Sequence, residues 1–512
     1  MPDHPPAQSD ATLVHALRSL LAERTGAPVA LKETHISWVL LTPRMAFKLK
    51  KPVQLPFLDF STPERRHRFC EEELRLNRRL APALYRAVLA VRGHPVSPHF
   101  GGDDEPVDWL LCMKRFPDGA LLSERMAAGR LRPQELERLA LRLADFHRTA
   151  PVAAAGGRFG TPERIEGAVR AVLEQLASRG ALPPEVDAWV EEQARRLAPV
   201  WRERLAAGFV REGHGDLHLA NAVALDGEVT AFDCIEFDPA LRWIDSMSDI
   251  AFLTMDLHAR GRPDLAWRFL DAYLQAGGDY RGLAVLRFYE VYRALVRALV
   301  AGIAREGGGA RGDGPDYLRC AARLIAQARR RPRLAILFGL SGSGKSTLAL
   351  ELVQAAGAVR VRSDAERKRL FGLPATQRGA PGGVDLYTPQ ATRATYARLA
   401  SCAREALRAG YAVIVDAAFL RREEREAFEA LAREMAVAFS VFACEAEPAV
   451  LRRRVAARAA AGADVSDADL AVLEQQLRHH EPLTDRERGH AVVVATDGPV
   501  DVEALARQWR WD

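Results

Sequence analysis

Behind Arg333 the chain alternates short apolar runs with longer stretches of helical spacing. LAILF (334–338), AVRV (358–361), YAVIV (411–415), VAFSVFA (437–443) and HAVVVA (490–495) are too short for helices and read as buried strands. Amphipathic stretches such as Pro389–Ala409 and Arg421–Met435 separate them. Strand and helix in alternation predict an α/β domain, a parallel sheet covered by helices on both faces.

Ahead of Arg305 the order differs. Residues 29–50 hold the β-rich pieces VALKE, SWVLLT and MAFKLK, and a charged helix is predicted near 62–80. VLAVRG (88–93) and WLLCMKRF (109–116) add strands, after which Glu124–Ala150 and Pro162–Ala207 carry helical periodicity. Strands first and helices second is the α+β layout of a bilobal, protein-kinase-like fold, though unrelated folds share it. The Gly-rich run Arg305–Tyr317 is the best boundary, and Leu318–Arg331 predicts an arginine-rich connecting helix. The expected organisation is an N-lobe over 1–117, a helical C-lobe over 118–304, a linker and connecting helix over 305–332, and the α/β domain over 333–512.

Size and composition support a multidomain protein of ordinary globular type, with 512 residues, 48% of them hydrophobic and 27% charged. A net charge of +5 spread over this length reads as a solvated arginine-rich surface, so nucleic acid is not an expected partner. No apolar run reaches the roughly 18 residues of a membrane helix, and MPDHPPAQSD lacks an export pattern, so no membrane association is expected. Cys70, Cys112, Cys234, Cys320, Cys402 and Cys444 show no metal spacing and read as buried thiols in a reducing compartment, the cytoplasm. Lysine occurs only at 32, 48, 50, 51, 114, 345 and 368. Against an arginine background, a lysine can mark a place that needs a compact ammonium.

Lys345 stands in the first chemical motif. Gly339, Leu340, Ser341, Gly342, Ser343, Gly344, Lys345, Ser346 and Thr347 follow the strand LAILF and open a helix, the context a phosphate-binding loop requires. Backbone N–H groups of such a loop wrap the phosphates of ATP or GTP, and the helix N-terminus adds partial positive charge. Lys345 would reach the β- and γ-phosphates and Ser346 would ligate Mg²⁺. Asp416 ends the apolar strand VIVD, where a second magnesium ligand belongs, although a helix N-cap is the bland alternative. Asp364 in SDAERKRL is placed to take a proton from an acceptor hydroxyl, or to cap a helix, with Arg367 and Lys368 one turn later able to hold an anionic substrate. Arg454 and Arg458, four apart, share a helix face and could close over a transferring phosphoryl group. These features resemble the small P-loop kinases, the gluconate kinase, zeta-toxin and polynucleotide kinase group. The resemblance spans roughly 333–512 and implies phosphoryl transfer to a hydroxyl with Asp364 as base.

The second motif is His214-Gly-Asp-Leu-His-Leu-Ala-Asn221. Asp216 could accept the proton of a substrate hydroxyl while Asn221 holds a phosphate-bound metal. Asp233 closes the strand VTAFD, where a further Mg²⁺ ligand belongs; Glu236 and Asp238 are competing carboxylates. This loop resembles the HGDxHxxN loop of the aminoglycoside phosphotransferase and choline kinase-like fold. The resemblance implies that Asp249 props the loop. It also implies that a strand lysine, Lys48 or its same-parity neighbour Lys50, pairs with a helix glutamate, Glu73 or the adjacent Glu72, at the α- and β-phosphates. MKRFPDG (113–119) would form the hinge around adenine, and DFH (145–147) would begin the second lobe.

Taken along its whole length, the chain resembles bacterial proteins that fuse these two kinds of domain. ETHISWVLL, LDFSTPERR and FDCIEFDPALRWIDSMSDIAFL look like that group's phrases. The resemblance implies an ATP- and Mg²⁺-dependent phosphotransferase with two nucleotide sites, each acting on a small hydroxylated molecule. Other readings are a regulatory ATP-binding P-loop module controlling the first domain, and a polynucleotide 5′-hydroxyl kinase.

Overall fold

The computed structural model describes residues 8–55, 58–154, 156–306, 314–375, 377, 386–461, 469–489 and 491–511. It divides into two compact units. One comprises Met1–Arg142, Thr149–Phe159 and Val210–Asp249; the other comprises Leu143–Arg148, Gly160–Phe209 and Ile250–Asp512. The centre of the Gly-rich run, 307–313, lies outside the described residues.

The first unit is built on a six-stranded antiparallel sheet. Its order is Ala30–Glu33, Ser37–Leu41, Met45–Lys50, Asp108–Lys114, Tyr85–His94 and Ser97–His99. Alternation across the pleat decides which side chains meet. Leu49 and Leu110 join Leu13, Val14, Leu17 and Leu21 of the helix Gln8–Thr25 in one core. Leu111, one residue on, joins Cys70 and Leu74 of the helix Pro63–Asn77 in another. By the same parity, Lys48 and Lys50 must face the Pro63–Asn77 helix. Thr62 caps that helix by accepting from the Arg65 N–H, and Pro63 occupies its first turn.

The second unit contains a five-stranded, wholly parallel sheet. Its order is Val359–Arg362, Val413–Asp416, Arg333–Phe338, Ala438–Glu445 and Ala491–Ala495. The phosphate-loop strand is therefore central, and its C-terminal end opens where ligands bind in sheets of this type. Helices Pro389–Arg408 and Arg422–Glu434 occupy the stretches expected for them.

The two stretches of helical periodicity are helical, each as a pair of helices. Glu124–Ala150 contains two helices, Leu122–Ala127 and Pro133–Thr149, and Pro162–Ala207 contains Pro162–Ser178 and Pro184–Ala206. Pro133 and Pro184 open the later helix of each pair, the position where proline's missing N–H costs nothing. The connecting helix is present at Tyr317–Ala328. All six cysteines are buried free thiols. Among the described residues no helix is long and apolar enough to cross a membrane.

Candidate functional site

In the first unit, the helix Pro63–Asn77 buries Arg66, Cys70, Glu73, Leu74 and Asn77, a set at helical spacing. Glu73 is thereby carried under the lysine strand, where it is 0% exposed. Lys48 Nζ donates to Glu73 Oε1 at 2.8 Å and to Asp233 Oδ1 at 2.9 Å. Lys50 Nζ lies deeper, donating to Glu73 Oε2 at 2.6 Å and to Glu236. Burial alone would raise the Glu73 carboxyl, but Lys48 and Lys50 outweigh it and hold it at about 2. Burial likewise opposes charge on Lys48, yet Asp233 and Glu73 push its pKa well above the ordinary value. Glu72 points elsewhere, to Arg75 at 2.8 Å and Arg242 at 2.6 Å.

The loop beginning at His214 is fixed from below by Asp249. Its Oδ2 accepts from the His214 N–H at 2.6 Å and its Oδ1 from the Gly215 N–H at 2.8 Å. Gly215 has φ +88°, and a Cβ there would come within 2.6 Å of the Leu241 carbonyl, so only glycine fits. The His214 ring spans the loop: Nε2 is 2.9 Å from the Phe232 carbonyl and Nδ1 is 3.3 Å from the Asp216 N–H. One ring nitrogen must donate and the other accept, which requires the neutral imidazole. Burial lowers its pKa and agrees with that state. Asn221 Nδ2 donates to Asp216 Oδ2 at 2.9 Å, and His218 Nε2 is 3.4 Å from the same oxygen. Asp216 and Asn221 thus stand together, as their spacing predicted.

The three competing carboxylates separate cleanly. Glu236 is 5% exposed and paired with Lys50, and Asp238 caps the short helix Pro239–Arg242 by accepting from the Ala240 N–H. Asp233 is the open one, with a side chain 44% exposed. The strand expected to end at Asp233 ends at Ala231, and Asp233 follows with φ +63°. A non-glycine residue held in that region stores strain, here fixed by the Lys48 contact and by the Asp233 N–H donating to Tyr85 Oη at 3.1 Å. In the segment expected as the hinge, Lys114 pairs with Asp226 at 2.8 Å. DFH lies within the helix Pro133–Thr149.

In the second unit, the loop between Arg333–Phe338 and the helix Lys345–Leu352 has the conformation its glycines permit. Gly342 has φ +83° and would place a Cβ 2.8 Å from the Leu451 carbonyl. Lys345 Nζ donates to the Leu340 carbonyl at 2.7 Å and lies 3.4 Å from Ser343 Oγ, and burial lowers its pKa. The Ser341 N–H donates to Gln476 Oε1 at 2.8 Å. Thr347 follows Ser346 in the first turn of the helix. Ser346 Oγ and Asp416 Oδ1 are 3.1 Å apart. Two hard oxygen donors at the head of a phosphate loop are of the kind that would suit Mg²⁺. Among the described residues no three His, Cys, Asp or Glu are grouped so as to hold a metal ion.

Asp364 lies in the first turn of the helix Ser363–Leu370, 4.0 Å from Arg362, and its charge acts on Lys345. The cap position is Arg362, so Asp364 is not the N-cap. Arg367 and Lys368 do not line an open anion site as expected. They are 8% and 2% exposed, and Arg367 donates to the Leu386 carbonyl at 2.9 Å and lies over the Tyr387 ring. Both side chains are drawn into the fold. Arg454, on the helix Pro448–Ala461, reaches the loop and donates to the Gly342 carbonyl at 3.3 Å and the Thr496 carbonyl at 2.6 Å. Arg458 is one turn further along and its charge also acts on Lys345. Sequence reasoning did not single out Gln476 or Thr496, which reach the loop from far along the chain and carry no local signal. Arg360, whose partner Asp271 lies 89 positions away, carries no local signal either.

A profile described as "Phosphotransferase enzyme family" matches residues 49–289, and one described as "AAA domain" matches 334–483. Uncharacterized proteins of Mycobacterium tuberculosis and Mycobacterium bovis are each 32% identical over 492 residues, covering 94% of this chain and 95% of the relative. Among solved structures, a gluconokinase from Sinorhizobium meliloti is 22% identical and covers 36% of this chain and 91% of its own, with a TM-score of 0.25. A choline/ethanolamine kinase family protein from Mesorhizobium loti is 15% identical and covers 61% of this chain and 94% of its own, with a TM-score of 0.38. With kinship running through both halves, the chain belongs to the bacterial family that fuses an aminoglycoside phosphotransferase/choline kinase-like domain to a P-loop kinase-like domain.

Proposed function

We propose that the chain is an ATP-dependent phosphotransferase with two nucleotide sites, each passing the γ-phosphoryl group to a hydroxyl of a small molecule. The observation that carries this reading is the assembly of Lys48, Glu73 and Asp233 into one chain of contacts, in the same unit as the Asp216–Asn221 pair.

In the first unit, Lys48 holds the α- and β-phosphates, and Glu73 fixes the ammonium in place. Asn221 and Asp233 hold Mg²⁺, which when bound neutralises the phosphate oxygens. Asp216 accepts the proton of the acceptor hydroxyl as its oxygen bonds to the γ-phosphorus and the bond to ADP breaks. Asn221, by donating to Asp216 Oδ2, turns the other carboxylate oxygen toward the acceptor. In the second unit, loop amides and Lys345 grip the triphosphate, Ser346 and Asp416 ligate Mg²⁺, and Asp364 is the base. Arg454 and Arg458 supply positive charge above the transferring group.

Phosphate transfer from labelled ATP to a panel of hydroxylated metabolites, with the full chain, tests the reading. Asp216→Asn is expected to cut one reaction about 1,000-fold and spare the other, with Asp364→Asn doing the converse. No transfer to any acceptor, or both variants matching wild type, contradicts it.

A further inference from the structure

Arg360 and Arg362 are two apart on the strand Val359–Arg362, so they share a face of the sheet. The register pairs Arg362 with Asp416, which puts both guanidinium groups on the face of that carboxylate. Arg362 Nε is 3.8 Å from Asp416 Oδ2. Arg360 directs one nitrogen at Asp416 Oδ2, at 3.4 Å, and at the Ser346 carbonyl, also at 3.4 Å. Its other two nitrogens grip Asp271 through a bidentate pair at 3.1 and 2.7 Å. All three side chains are nearly sealed from solvent, at 7% for Arg360, 5% for Asp271 and 3% for Asp416.

Asp271 belongs to the helix Pro263–Gly277, inside the segment matched by the phosphotransferase profile. The same region holds the strand by its backbone. Gln275 Nε2 and Tyr280 Oη donate to the Arg360 carbonyl at 3.1 and 3.2 Å.

A divalent ion seated beside Ser346 and Asp416 would meet two guanidinium groups at close range. Buried charges are weakly screened, so this repulsion weakens metal binding unless another carboxylate offsets it. Asp271 offsets Arg360, and its planar two-point grip also keeps that guanidinium from closing further onto Asp416. We propose that Asp271 is a positioning residue that sets the divalent-metal affinity of the P-loop site through Arg360. A helix from the phosphotransferase-family segment thereby tunes metal loading in the P-loop domain. The inference rests on the reading of that site as a Mg·ATP site.

The test is a magnesium titration at fixed ATP, followed by heat of association, in the full chain carrying Lys48→Ala to weaken nucleotide binding at the first site. Asp271→Asn is expected to raise the half-saturating magnesium concentration about tenfold while ATP binding in EDTA stays as in the parent. Asp271→Glu, which keeps the charge, should stay close to the parent. The double variant Asp271→Asn with Arg360→Gln removes both charges without leaving either unpaired, and should return the magnesium requirement to the parental value or below. If Asp271 were only a strut, the double variant would be at least as impaired as the single one, and that result overturns the proposal. An unchanged magnesium requirement in Asp271→Asn also overturns it. If the parent shows no magnesium-dependent ATP binding that Lys345→Ala abolishes, the two-site reading fails and the proposal falls with it.

Discussion

Lys48 and Lys50 meet three carboxylates, Glu73, Asp233 and Glu236, whereas Lys345 donates to the Leu340 carbonyl and lies near the Ser343 hydroxyl. The first site therefore balances its cations from within, and the protein holds them charged against burial. In the second, burial lowers the Lys345 pKa, because the nearby carboxylates are too few or too distant to compensate. One cluster is arranged by side chains drawn from distant parts of the sequence, the other by a continuous glycine-bearing loop and the lysine that follows it.

The sharpest way to break this contrast is at Glu73. Glu73→Gln leaves two buried ammonium groups short of a partner and should destabilise the protein by about 3 kcal/mol. Glu72→Gln, at the half-exposed Arg75 contact and beside a buried Arg242 that keeps Glu212 as its partner, should cost about 1 kcal/mol. Thermal melting of the full chain checks the pair; equal shifts would show that the lysines do not depend on Glu73.

A smaller effect comes from two buried histidines whose pKa is lowered, one in each unit. His214 has a pKa lowered by burial, and His258 is lowered to about 3, by burial and then by Arg287 and Arg323. Both titrate near 6.5 in the unfolded chain. Their neutral forms cost nothing above that pH, and as pH falls below it the unfolded chain takes up protons the folded one refuses. Stability should therefore decline from pH 6.5 downward, with His258 alone contributing about 2 kcal/mol of loss by pH 5. Melting between pH 7 and 5 should show a slope that His258→Phe reduces; an unaltered slope would mean the ring is not held neutral.

What the sequence made legible follows the same divide. The P-loop and the His214–Asn221 loop are continuous stretches whose chemistry depends on neighbours, so their residues could be named individually. Asp249 too was placed correctly under the loop. The choices between Lys48 and Lys50, and between Glu72 and Glu73, needed facts that lie between elements. Leu49 faces one core, which turns both lysines to the other, and the buried face of the Pro63–Asn77 helix selects Glu73. Local charge also misled. The basic run around Arg367 and Lys368 looks like an anion site, yet the helix buries both residues. Arg360 and Asp271, 89 positions apart, gave no signal of their pairing.

The chain is proposed to hold two sites for Mg·ATP, and calorimetric stoichiometry tests this most directly. The full-length protein should bind two nucleotides, falling to one in Lys345→Ala and to one, at the other site, in Lys48→Ala. A wild-type protein that binds a single nucleotide, or a Lys345→Ala variant whose stoichiometry does not fall, would contradict it.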